Sequence, residues 1–195
     1  MSLLFEQAEE RLKKQHTQFL ELLPDLHKRS GVTLIHPKFQ FFEGEDGVKH
    51  VLKDMLLYRG ISTEAFWPIR SMLETLSPDF FRYHNKARIQ RNISTRAIWP
   101  LSQAVDIKQY PYLGVGDAFK REIRVAPKNI DFSMGYWLYG SKAAFLSSRR
   151  ERFGFIIESA ELAETLCSQF NAIWNLSKPL TVDPKDTELF LAELR

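Results

Sequence analysis

Ile93-Ser94-Thr95-Arg96-Ala97-Ile98-Trp99-Pro100 is the stretch on which the fold turns. β-Branched and aromatic residues dominate it, and a proline, which cannot donate to a ladder, closes it, so it reads as a strand. Before it, Pro78 with Asp79 opens a helix running to about Arg91, and Thr63 to Ile69 reads as another strand. Further back, Val48, Val51, Leu52, Met55 and Leu56 recur at helical spacing. Pro37-Lys38-Phe39-Gln40-Phe41-Phe42 reads as the first strand, stopped by a turn at Glu43-Gly44-Glu45-Asp46-Gly47. Strand, helix, strand, helix, strand argues for right-handed crossovers. The expected class is α/β, with a mixed, largely parallel sheet and flanking helices.

Beyond Pro100 the chain is richer in strands: Glu122 to Val125, Met134 to Tyr139, Ala143 to Ser147 and Phe153 to Ile157. Gly140-Ser141 predicts a two-residue hairpin turn. Ser159 is a good cap for a helix through Leu176, with Leu162, Leu166, Phe170, Ile173 and Trp174 on one stripe. Cys167 neighbours that stripe and reads as a buried, inert thiol. Asp183-Pro184 starts a short last helix with Leu189, Phe190 and Leu194 available for docking.

Ahead of the first strand, Phe5, Ala8, Leu12, Gln15, Phe19, Leu22 and Leu26 alternate steps of three and four, the seam of a coiled coil. A long N-terminal helix is expected, ending or kinking at Pro24. Residues 1–30 then form a dimerisation helix and residues 31–195 the α/β domain, which makes the expected assembly a homodimer.

The 195 residues are 44% hydrophobic and 13% aromatic, enough for a sizeable core. Net charge is only +3 and the basic residues are dispersed, so nucleic-acid binding by this segment alone is not indicated. Arg149-Arg150 with Arg152, and Lys120-Arg121 with Arg124, read as solvated charges. A single cysteine, no leader-like start and no apolar run near ~20 residues point to the cytoplasm and away from membranes. No histidines pair at zinc-helix spacing and no phosphate-binding glycine signature occurs, so neither metal nor cofactor is expected. His36-Pro37-Lys38, followed after four residues by Glu43, approximates the His-x-Lys-x4-Asp motif of phospholipase D enzymes. It departs from that motif in its intervening proline, its glutamate and its single copy.

A wider order of segments carries a resemblance. Phe39-Gln40-Phe41-Phe42-Glu43-Gly44-Glu45-Asp46-Gly47-Val48 comes first, then Arg96-Ala97-Ile98-Trp99-Pro100. Tyr136-Trp137-Leu138-Tyr139-Gly140-Ser141-Lys142-Ala143-Ala144-Phe145 and Gly154-Phe155-Ile156-Ile157-Glu158-Ser159 follow. Across about residues 32–176 this resembles the C-terminal effector domain of TrmB-like transcription regulators, and the preceding helix resembles their linker to a winged helix-turn-helix. The resemblance implies a phospholipase D-like half-domain that senses an effector and dimerises, contacting DNA only through a winged helix absent from this chain. By that likeness Ser133, Gly135 and Gly140 stand where catalytic histidine, lysine and aspartate would be needed, so the chain is not expected to be an enzyme. The alternative is a phospholipase D-type phosphodiesterase or nuclease using His36 and Lys38.

Ligands in open sheets favour the crevice beyond the carboxyl ends of parallel strands. Trp67 before Pro68 and Trp99 before Pro100 fall there, with Arg70, Arg96 and Ser133 to supply polar groups to a sugar-like or other polar effector. Trp137 and Trp174 read as core.

Overall fold

The computed structural model describes residues 37–147 and 150–194. The expected N-terminal helix and its dimer seam from Phe5 to Leu26 lie outside the described residues. Strands β1 (Lys38–Glu43), β2 (Ser62–Phe66), β3 (Ser94–Trp99) and β4 (Arg121–Val125) come first. They are followed by β5 (Gly135–Tyr139), β6 (Lys142–Leu146), β7 (Phe153–Glu158) and β8 (Lys178–Pro179). Helices are α1 (Gly44–Asp54), α2 (Ile69–Thr75), α3 (Pro78–Gln90), α4 (Ala160–Leu176) and α5 (Glu188–Ala192).

The strands make one mixed sheet in the order β1-β7-β6-β5-β2-β3-β4-β8. Only β2–β3 and β3–β4 are parallel. The remaining pairings are antiparallel, so the sheet is mostly antiparallel and the expectation of a largely parallel one is corrected. Strand–helix–strand order constrains direction but not adjacency. β1 does run in the sense of β2, yet the meander β5-β6-β7 sits between them. The two-residue turn at Gly140-Ser141, with Gly140 at φ +57°, forces β5 and β6 antiparallel, pairing Tyr139 with Lys142. β1 then meets β7 because Phe39 stacks near Phe155 (5.5 Å) and Phe41 near Phe153 (5.6 Å).

The turn expected at Glu43–Gly47 is also absent. Gly44 takes φ +75° and leads straight from β1 into α1, its amide donating to Arg152 O at 2.7 Å. In the same way Ile69, read as strand, begins α2.

Side-chain alternation splits the core in two. On one face Ala65, Trp67, Ala97, Trp99, Ile123, Trp137 and Ile156 join Val48, Val51 and Leu52 of α1 and Phe80 and Phe81 of α3. Phe190 of α5 docks into this core beside Phe119, at 5.9 Å between rings, while neighbouring Leu189 stays exposed. On the other face Phe66 and Ile98 meet Phe170 and Trp174 of α4. Ser159 caps α4 by accepting from Leu162 N, as its position predicts.

Candidate functional site

Helix α3 starts cleanly, with Ser77 accepting from Phe80 N and Pro78 in the first turn. Its inward stripe is unusual, for His84, Asn85 and Arg88 are buried alongside Phe80 and Phe81. Arg88 is completely buried, and its guanidinium donates to Ile93 O (2.6 Å), Phe119 O (2.6 Å) and Lys120 O (3.1 Å). One cation thereby ties together the amino ends of β3 and β4. Desolvation, with Arg121 nearby, pulls its pKa well below the usual arginine range. His84 Nε2 donates to Leu52 O at 3.1 Å, and burial pushes its pKa down to about 3, so the ring is neutral.

Arg121 contradicts its reading as a solvated charge. It is half-buried and donates to Asn85 Oδ1. Arg124 is likewise committed, 4.3 Å from the centroid of Trp174 and 3.1 Å from Trp174 O. Both belong to β4, with Arg121 reaching Asn85 of α3 on one face and Arg124 reaching Trp174 of α4 on the other, contacts that a run of basic letters does not disclose.

Two spaces adjoin this region. An enclosed cavity of about 30 Å³ lies among Trp67, Trp99, Trp137, Phe80, His84, Asn85 and Arg121. An open cleft of about 1380 Å³ lies at the amino ends of β2, β3 and β4, where Glu64, Arg96, Lys120, Glu122, Glu164 and Cys167 face it. In the cleft Arg96 pairs with Glu64 and donates to Asn171 Oδ1 (2.9 Å), its plane 5.3 Å from the centroid of Phe170. Cys167 is half-buried on the cleft wall rather than buried, and a hydrogen bond with Glu64 raises its pKa, which keeps the thiol protonated.

The sequence-predicted ligand residues are therefore not all brought together. Trp67 and Trp99 share the enclosed cavity, both in the core at 6% and 1% exposure. Arg96 lies on the opposite sheet face, in the cleft. Arg70 is exposed and donates to Ala104 O at 3.1 Å, and Ser133 is exposed in the loop before β5. Sequence reasoning did not bring Asn85 and Arg121 together, whereas Trp137, read as core, lies in the core. The spacing of Phe81, His84, Asn85 and Arg88, which puts polar groups on the inward face of α3, was the available signal.

The position matched to a catalytic lysine is tightly packed. A Cβ added to buried Gly135 would lie 3.0 Å from Pro68 Cδ, 3.2 Å from Phe66 O and 3.3 Å from the Trp67 ring. For the alternative motif, Lys38 sits on edge strand β1, largely exposed and 3.2 Å from Glu158. Glu43, an odd number of residues along the strand, points to the other face. His36 lies outside the described residues.

No family model matches the chain, and no curated protein does. Several solved structures share its fold. TrmBL2, an archaeal chromatin protein described as showing a novel mode of DNA binding, is 12% identical with TM-score 0.53, covering 90% of this chain and 68% of that one. Nuc from Salmonella typhimurium, a phospholipase D family member, is 11% identical with TM-score 0.53, covering 75% of this chain and all (100%) of its own. NucT from Helicobacter pylori is 9% identical with TM-score 0.51, covering 74% and 100% respectively. At these identities the likeness establishes a fold, a phospholipase D-like mixed α/β sheet with flanking helices.

Proposed function

We propose that this chain is an effector-sensing, self-associating domain of a TrmB-like regulator, in which a phospholipase D-like fold binds and does not cleave. DNA would be contacted through a winged helix-turn-helix outside this chain. The observation that supports the reading is Gly135, where even a Cβ would come within 3.0 Å of Pro68 Cδ, 3.2 Å of Phe66 O and 3.3 Å of the Trp67 ring, a tight place for the side chain of a catalytic lysine. With Ser133 and Gly140 at the neighbouring motif positions, nucleophile, phosphate clamp and orienting carboxylate all lack a side chain to supply them. The phosphodiesterase alternative draws on the likeness to Nuc and NucT. The intervening Pro37, the glutamate in place of aspartate and the single copy of the motif weigh against it.

A thermal-shift panel tests the sensing half of the proposal. Small polar metabolites, sugars and organic acids among them, are added to the full chain. At least one class should raise Tm with saturation, because a ligand that binds only the native state stabilises it by mass action. A chain indifferent to every class would contradict the proposal.

A further inference from the structure

Strand β1 ends the sheet, and among the described residues no strand pairs with its outer side. Its sequence, Lys38-Phe39-Gln40-Phe41-Phe42-Glu43, is exposed except at half-buried Phe42. A bare apolar edge invites another strand, and proteins ordinarily blunt it with charge, proline or a cover. Here the charges stand only at the two ends, and Lys38 is already answered by Glu158 at 3.2 Å. Between them Phe39 and Phe41 are 61% and 50% exposed.

Those two rings are the loose ends of aromatic rows. On the α4 face of the sheet Phe66 meets Tyr136 at 4.9 Å between centroids, and Tyr136 meets Phe145 at 5.7 Å. Phe145 meets Phe155 at 4.7 Å, and Phe155 meets Phe39 at 5.5 Å. This row crosses five strands, and Phe153 with Phe41 makes a shorter one beside it at 5.6 Å. Phe170 and Trp174 of α4 close the inner end over Phe66, whereas the rings become half-buried and then exposed towards β1. The outer rings lie nearly face to face, 17° apart at Phe145–Phe155 and 27° at Phe41–Phe153. Stacking occupies the inner faces, so Phe39 and Phe41 each keep one ring face turned past the sheet edge.

The chemistry of the edge narrows what continues these rows. Single-stranded nucleic acid needs cations for its phosphates beside the rings, but Lys38 is paired and Glu43 and Glu158 flank the strand. A second β1 fits better. Two strands paired antiparallel about a twofold axis perpendicular to the sheet keep their faces, so only residues of equal parity come opposite. Centred on Gln40, that pairing sets Phe39 opposite Phe41 of the second copy, and Phe41 opposite its Phe39. Both rows then continue across the edge. Gln40 meets its twin on the other face, and a primary amide both donates and accepts. Lys38 faces Phe42 and Glu43 faces Pro37, so no like charges meet.

We infer that β1 pairs antiparallel with β1 of a second copy, centred on Gln40, to make one sheet continuous through both. Two six-residue strands are too short to bury the ~1,200 Å² at which stable interfaces begin. Copies joined elsewhere pair at high effective concentration. The inference therefore rests on the self-association proposed through residues 5–26 and supplies its second contact.

Cross-linking the full chain tests it. Directly opposed Cα atoms of an antiparallel pair stand about 4.5–5.5 Å apart. Gln40→Cys should therefore give a covalent dimer with a short-armed bis-maleimide. The parent, whose one cysteine is Cys167, should not, nor should Arg59→Cys in the exposed loop ahead of β2. Adding Phe39→Asp to Gln40→Cys should cut the yield about tenfold or more, because it sets a carboxylate in the aromatic row. Unchanged urea melts would show that the variant folds. The inference is overturned by equal yield from Arg59→Cys or by a yield indifferent to Phe39→Asp. A chain that is dimeric in light scattering but gives no Gln40→Cys cross-link also overturns it, and keeps the self-association reading. A monomeric parent without a cross-link loses both. A cross-link that survives Leu12→Asp keeps the pairing and removes the seam. If the parent binds a single-stranded oligonucleotide, Phe39→Asp abolishes that binding and no cross-link forms, the rows are a stacking surface and the pairing fails.

Discussion

Arg88 shows how much of the architecture hangs on a single side chain. Its fork satisfies the carbonyls of Ile93, Phe119 and Lys120, and a lysine cannot span all three. An orphaned buried acceptor costs ~1–3 kcal/mol, so Arg88→Ala should lower unfolding stability by about 3 kcal/mol or more in urea melts. A loss under about 1 kcal/mol would mean that water replaces the guanidinium easily. His84 makes a pH prediction. Its folded pKa of about 3 lies below the 6.5 of an ordinary imidazole, so the unfolded chain takes up the proton first. The stability it contributes is fully present above about pH 6.5 and is lost as pH falls towards 3, by up to about 1.4 kcal/mol per pH unit. Replacing His84 with Gln should flatten that acid limb in melts between pH 6.5 and 4; an unchanged slope would place the pH dependence elsewhere. Gly135→Ala, finally, should cost about 1–3 kcal/mol, because the added methyl meets Pro68 and Phe66 O. A neutral outcome in the same melts would show that the position is open, and would weaken the case against catalysis.

Among the elements, those with strong local chemistry were legible and their neighbours were not. The Ser77-Pro78 start of α3 and the Ser159 cap of α4 were readable because capping is local. Helix α2 was missed because it follows Pro68 without a loop and so looked like a continuation of β2. β8 is two residues, Lys178–Pro179, too short to show a period. Strand pairing was misjudged because adjacency depends on distant partners such as Phe39 with Phe155. Parity could have separated the ligand candidates. Arg96 and Trp99 are three apart on one strand and so point to opposite faces, as the structure has them. Arg121 was read as surface because the sequence does not say which face of a strand is covered. The junction of α1 with the β5–β6 hairpin rests on Asp54, which accepts from Tyr139 (2.9 Å) and Lys142 (2.8 Å) with both ion-pair partners largely buried. Asp54→Ala should cost about 2–4 kcal/mol, since it strands a buried cation. Melts equal to those of the parent would show that the hairpin is held by its aromatic packing alone.

For the whole molecule, the proposal is that a phospholipase D-like fold serves here to bind and not to cleave. Self-association is proposed through the seam from Phe5 to Leu26, so Leu12→Asp should shift the full chain from dimer to monomer in light scattering. A parent chain that is already monomeric at tens of micromolar, well above the affinity of a specific dimer, would contradict that part. The central claim is that this sheet binds and does not cleave. It is tested most directly by incubating the full chain with a p-nitrophenyl phosphodiester and with single-stranded DNA between pH 5 and 8, the range in which a histidine nucleophile titrates. The account predicts no product above the buffer rate. Turnover that disappears in His36→Ala or Lys38→Ala would contradict it and establish the phosphodiesterase alternative.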